Sequence, residues 1–111
     1  MNKLIIKSAA AYKAEVFIAG DLAKATEICQ TFCERGLCVT IEPTNYVFTG
    51  GQEMGVRVGL INYARFPKPW AEIWNTAIEI GHALKEGLDQ GSFTVQDKDT
   101  SVFFSTRDVD Q

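Results

Sequence analysis

The residues best suited to chemistry gather in Thr49–Gly59, TGGQEMGVRVG. The stretch holds four glycines, one carboxylate and one guanidinium in eleven positions. Glu53 can serve as an acid or base, or read a polar edge, and Arg57 can grip a phosphate or carboxylate with two N–H groups. A hairpin turn needs one or two glycines, and Gly50 and Gly51 suffice for that. Gly55 and Gly59 fall inside the following strand, where a missing side chain often marks close approach by a ligand or another backbone. Alternation puts Glu53, Gly55, Arg57 and Gly59 on one face and Val56, Val58 and Leu60 on the other. The expected result is an open floor carrying one acid and one base.

More polar groups flank this floor. Thr44, Asn45 and Tyr46 precede the turn, and Asn62, Tyr63 and Arg65 follow the second strand. Pairing the two strands is expected to bring these segments together at the end of the hairpin away from the turn. Arginine suits an anion, and a tyrosine ring suits stacking on a base or sugar. In the competing reading Tyr63 and Phe66 anchor the loop in the core and Arg65 pairs with a nearby acid. The expected ligand site is Tyr46, Thr49, Gly50, Gly51, Glu53, Arg57, Asn62, Tyr63 and Arg65.

Other motifs carry less. GGQEMG lacks the Lys-Ser/Thr of a phosphate-binding loop and leads into a strand, so neither that loop nor a dinucleotide fingerprint is present. Cys29 and Cys33 lie one helical turn apart, with Cys38 nearby and His82 as the only further soft ligand. No tight Cys-x-x-Cys knuckle occurs, and the two helical cysteines are read as small core side chains. His82, the single histidine, falls among Glu79 and Glu86 and is read as solvated. No metal, no cofactor and no catalytic residue is assigned.

The elements that must position these groups follow from periodicity. Ala14–Gly20, AEVFIAG, reads as a strand, and Asp21 as the cap of a helix over 21–35 that ends at Gly36. A β-branched and aromatic stretch predicts a strand over 37–49, broken near Pro43. EMGVRVGLINY is the next strand. Pro69 opens a second helix with an apolar stripe of Trp70, Ile73, Trp74, Ala77, Ile80, Gly81, Leu84 and Leu88. SFTVQ and SVFFST form a last hairpin around DKDT. The fold class is α+β: a ferredoxin-like βαββαβ sandwich with an extra C-terminal strand, its antiparallel sheet carrying two helices on one face. KLIIKSA is a candidate additional N-terminal strand.

Length and composition set the limits. The 111 residues fit one domain, and 46% hydrophobic content suits a folded core. A formal charge of −3 with scattered basic residues gives no footprint for nucleic acid or for a membrane surface. No stretch approaches the length of a membrane span. The N-terminal apolar run is broken by Lys7 and is read as structure, not as a secretory signal. Three clustered cysteines suit a reducing, intracellular setting.

CVTIEPTNYVFTGGQEMGVRVGLINYARFP resembles the signature block of a family of small early proteins of T-even-type tailed bacteriophages, encoded just after the phage DNA ligase gene. The resemblance extends from about Val16 to Arg107. It is carried by Cys38, Tyr46, Thr49, Gly50, Gly51, Glu53, Gly55, Arg57, Asn62, Tyr63, Arg65, Phe66 and Pro67. Phe48 and Ala64 depart from the pattern, which has Tyr and Pro there. The resemblance implies a phage accessory protein in the host cell cytoplasm, with a role in host takeover or anti-defence, and supplies no catalytic residues.

Residues and resemblance together lead to one expectation: a binder that sequesters a nucleotide-like anionic molecule without chemistry, as a homodimer or higher homo-oligomer. Two alternatives stand beside it. One is an inhibitor that binds a host protein through an exposed patch at Phe103 or Phe104. The other is a small enzyme acting on a nucleotide signal through Glu53 and Arg57.

Overall fold

The structure is a computed structural model that describes residues 2–111. In chain order the elements are β1 (Lys13–Ala19), α1 (Leu22–Cys33), β2 (Thr40–Phe48), β3 (Gly51–Ile61), α2 (Trp70–Gly87), β4 (Ser92–Gln96) and β5 (Ser101–Ser105). A short 3₁₀ turn, Asp108–Asp110, follows. The five strands form one antiparallel sheet in the order β2-β3-β1-β4-β5. This is the expected ferredoxin-like arrangement with β5 added at one edge.

Register decides which side chains enter the core. Val16 of β1 pairs with Val58 of β3 and with Val95 of β4, so three β-branched residues stand abreast on the helix-bearing face. Val16, Val56, Val58 and Val95 are fully buried against Ile80 and Leu84 of α2. The apolar stripe of α2 does what its spacing predicts at Ile73, Ala77, Ile80, Gly81 and Leu84. Trp70, in its first turn, instead stays 63% exposed and leans on Tyr12.

Local signals explain the ends of α1. The Asp21 carboxylate accepts from the backbone N–H of Lys24 at 2.9 Å. Gly36, at φ 96°, reverses the chain, and its N–H donates to the Cys33 carbonyl at 3.0 Å. The helix therefore closes at Cys33, shorter than the expected 21–35. β2 begins at Thr40, not near 37, and Pro43 does not break it. Because β2 is an edge strand, a residue without an N–H is tolerated there.

KLIIKSA is not a strand of this sheet. Residues 2–12 form an extended arm that leaves the body at Tyr12. His82 is exposed as expected, yet its ring rests edge-on against Phe93 and Phe104 at 5.1 and 5.3 Å. Among the described residues no helix is long and apolar enough to cross a membrane.

Candidate functional site

The two helices cover one face of the sheet and leave the other open. Alternation sends Tyr46 and Phe48 of β2, Glu53 and Arg57 of β3, Phe17 of β1, Thr94 of β4 and Phe103 of β5 to the open face. At the end nearest the β2–β3 turn, this face dips into a shallow concavity of about 730 Å³. Phe17, Tyr46, Phe48, Glu53, Thr94, Phe103 and Arg107 contribute to its lining. Four aromatic rings therefore surround one carboxylate and one guanidinium. Phe48 and Phe103 are 57% and 56% exposed, an unusual cost for a sheet face unless something covers them.

The floor is less bare than four glycines suggest. The Tyr46 ring lies diagonally across β3 over Gly55, and a Cβ there would meet a ring carbon at 2.6 Å and the Ile18 carbonyl oxygen. The Tyr46 hydroxyl donates to the Val56 carbonyl at 2.6 Å, and burial pushes its phenol pKa up. A Cβ on Gly59 would lie 2.5 Å from the Thr40 hydroxyl oxygen. Both interior glycines make room for side chains of the neighbouring strand, not for an open floor.

Arg57 stands at the middle of the open face, between two carboxylates. Its Nη2 lies 3.0 Å from Glu42 Oε2 and its Nε 3.1 Å from Glu15 Oε2. The Nε is shielded from solvent, and its N–H is poorly aligned with Glu15, so the contact is an ion pair more than a hydrogen bond. With two acids on one base, this cluster has little positive charge to offer an anion.

The remaining expected site residues divide between the two ends of the hairpin. Thr49, Gly50 and Gly51 form its turn, with Gly50 at φ 89° and Phe48 packed over Gly51. Asn62, Tyr63 and Arg65 lie at the opposite end, roughly 30 Å from Glu53 at the rise of an extended strand. Asn62 ties the chain together there: its Nδ2 donates to the Ala10 carbonyl and its Oδ1 accepts from the Lys68 N–H, both at 2.9 Å. Tyr63 packs on Phe66, and its hydroxyl is 3.3 Å from the Cys38 sulfur. Arg65 is exposed and makes no ion pair among the described residues. The structure thus brings Tyr46 and Glu53 together in the concavity and separates them from Asn62, Tyr63 and Arg65.

Phe17, Phe48, Thr94, Phe103 and Arg107 line the concavity but are not among the site residues expected from the sequence. The signal was present for Phe17: in AEVFIAG it alternates with Val16 and Ile18, so a core on their side places its ring on the open face. Arg107 follows β5, and only the three-dimensional course of that segment brings it to the concavity. It pairs loosely with Asp110 at 3.7 Å. The cysteines are free, and no three His, Cys, Asp or Glu side chains converge on a common point among the described residues.

No family model and no curated protein matches the sequence. Two solved structures share the fold. A phage SAM lyase in its apo state superposes with a TM-score of 0.72 at 13% identity, over 95% of this chain and 98% of that chain. A phage SAM lyase in complex with S-methyl-5'-thioadenosine gives 0.60 at 11% identity, over 95% and 97%.

Proposed function

We propose that the chain is a phage enzyme that cleaves S-adenosylmethionine in the host cytoplasm, with the aromatic concavity of the open sheet face as its site. The observation that carries this reading is the likeness in fold to a phage SAM lyase, over 95% of this chain and 98% of that one. The enzyme reading is therefore favoured over sequestration without chemistry. Depleting a methyl donor would act against the host, in keeping with an anti-defence role.

The concavity has the chemistry such a substrate needs. Its volume falls in the range of small-molecule sites. Tyr46, Phe48 and Phe103 offer π-faces for adenine and for the sulfonium cation. Glu53 is the one carboxylate in the lining and suits the substrate's positive charge; Arg107 is the one guanidinium and suits its carboxylate.

The reaction proposed is one that would leave S-methyl-5'-thioadenosine, the molecule held in one of the similar lyase structures. Cleavage that leaves S-methyl-5'-thioadenosine breaks the bond from sulfur to the aminobutyrate chain. The sulfur keeps the electron pair and becomes a neutral thioether. In a lyase no water enters, so the carbon left behind is satisfied from within the substrate. Its own carboxylate oxygen can attack, closing a lactone with no proton transferred. Alternatively a neighbouring proton departs to a base and an alkene forms, and Glu53 is the base in reach. Attack of the carboxylate on the carbon bonded to the sulfonium neutralises both charges, so contact with aromatic side chains, less polar than water, favours the first route. It asks the protein only to fold the substrate onto itself.

The test is incubation of the purified protein with S-adenosylmethionine, followed by mass spectrometry. S-methyl-5'-thioadenosine with a four-carbon lactone is the expected result. Substrate recovered unchanged but bound in stoichiometric amount would return the protein to the sequestering class. Neither product nor binding would overturn the assignment.

A further inference from the structure

The N-terminal arm is the largest feature that the proposed activity leaves unused. Leu4, Ile5 and Ile6 are 87%, 76% and 83% exposed, three consecutive aliphatic side chains held in water. Their backbone lies outside every strand of the sheet, and among the described residues the arm's hydrogen bonds to the body are at its base, where the Tyr12 and Ala10 carbonyls accept from Asn62. The molecule is correspondingly long, 58 × 29 × 24 Å, with a radius of gyration of 15.6 Å. A compact domain of this length has about 13 Å.

We propose that this arm docks on a second copy of the chain, where Lys3–Lys7 adds a sixth strand along the outer edge of β5. Three matches between arm and edge support the assignment. The first is length: Lys3–Lys7 is KLIIK, and β5, Ser101–Ser105, is SVFFS, each five residues with three apolar residues at its centre. β5 ends the sheet and contains no proline, so its outward N–H and C=O groups can accept a strand. The opposite edge, β2, is continuous but carries Pro43, which has no N–H to offer an added strand.

The second is facing. In an extended segment Leu4 and Ile6 point one way and Ile5 the other. Beside β5, Leu4 and Ile6 would join Val102 and Phe104 on the helix-bearing face, where both are only half-buried. Ile5 would then lie beside Phe103 on the open face and extend the wall of the concavity. The third is charge. The arm carries two lysines and no acid, in a chain with fourteen acids. Asp97 and Asp99 precede β5 and Asp108 and Asp110 follow it, so carboxylates stand at both ends of the edge. This inference rests on the arm and the edge, and is independent of the substrate.

Sedimentation analysis of the full chain tests it, together with Leu4→Asp and Ile6→Asp. The wild type is expected to self-associate, and each variant to weaken the association roughly 100-fold, with the circular dichroism of the folded chain retained. Hydrogen exchange supplies the second measurement: amides of 3–7 and of β5 should be protected together and exposed together in the variants. A monomeric wild type would overturn the proposal, as would an oligomer indifferent to both variants. Protection of the arm without β5 would refute this edge as its partner.

Discussion

The Tyr46 ring fills the space that Gly55 leaves open: the two residues sit diagonally across β2 and β3, and the Tyr46 hydroxyl is bonded at 2.6 Å to the carbonyl of Val56, next to Gly55. Gly55→Ala would drive a methyl group into the ring and into the Ile18 carbonyl, which is backbone and cannot swing aside. A stability loss of about 1–3 kcal/mol is expected, as for other overpacked sites. Tyr46→Phe keeps the ring and loses the hydrogen bond, at about 1 kcal/mol. Chemical denaturation of both variants checks the order.

Glu53 separates the two routes of cleavage. If the substrate closes its own lactone, Glu53→Gln weakens binding and leaves turnover of bound substrate within about tenfold, because a lost surface charge contact is modest. If Glu53 removes a proton, turnover falls by a factor of 100 or more, on the scale of general base catalysis at about 10²–10⁴. Steady-state kinetics with identification of the four-carbon product decides.

Arg57 and Arg107 should behave differently. Arg57 is committed to Glu15 and Glu42, whereas Arg107 lines the concavity and holds Asp110 only at 3.7 Å. Arg107→Ala is expected to raise KM about tenfold through the lost contact to a carboxylate. Arg57→Ala should leave KM nearly unchanged and cost about 1 kcal/mol of stability or somewhat more, because it leaves the half-buried Glu15 carboxylate without its partner.

Acid should reveal the Asp97 turn. Backbone N–H groups of Asp99 and Thr100 donate to its carboxylate at 2.9 and 2.7 Å, and the Tyr12 hydroxyl donates at 3.0 Å. These bonds, the Asp99 N–H foremost, lower its pKa below the ordinary carboxylate value. A lowered folded-state pKa means stability that is present above the unfolded value and lost as pH falls through the folded one. Asp97→Asn should therefore melt a few degrees lower than wild type at neutral pH. The two curves should converge on the acid side of the usual carboxylate range.

Thiol labelling should follow burial. Cys38 is exposed and reacts first. Burial raises the Cys33 pKa, and burial pushes the Cys29 thiol up to about 11, so Cys33 follows slowly and Cys29 reacts only on unfolding. A timed reaction with a chromogenic disulfide resolves the three steps.

The fold was largely legible because its periods are clean. The stripe of α2 and the alternation of Val56, Val58 and Leu60 each point to a single burial face, and the structure uses it. The site was legible only in part. Alternation along β3 points to Glu53, whereas Tyr46 is expected beside Asn62 and Tyr63 at the end away from the turn; the register instead sets it opposite Glu53. Asn62, Tyr63 and Arg65 lie apart from Glu53 because the eleven residues of β3 separate the two ends of the hairpin. Gly55 and Gly59 read as vacancies because a sequence does not show which neighbour's side chain leans across. Arg107 was missed because the chain past β5 has no periodicity to follow.

The strand at the middle of the sheet also has a history within the chain. β2–β3 and β4–β5 are hairpins of neighbouring segments, each able to close locally. β1 pairs only with β3 and β4, both distant in sequence. During synthesis it emerges before either neighbour exists, with Val16, Phe17 and Ile18 in a row; it can pair with β3 on one side, but the other side waits until β4 has left the ribosome. Refolding should then be limited by the insertion of β1 between two ready-made hairpins, since contacts of long sequence separation form slowly. The same interval is when a newly made chain is most open to pairing with the wrong edge.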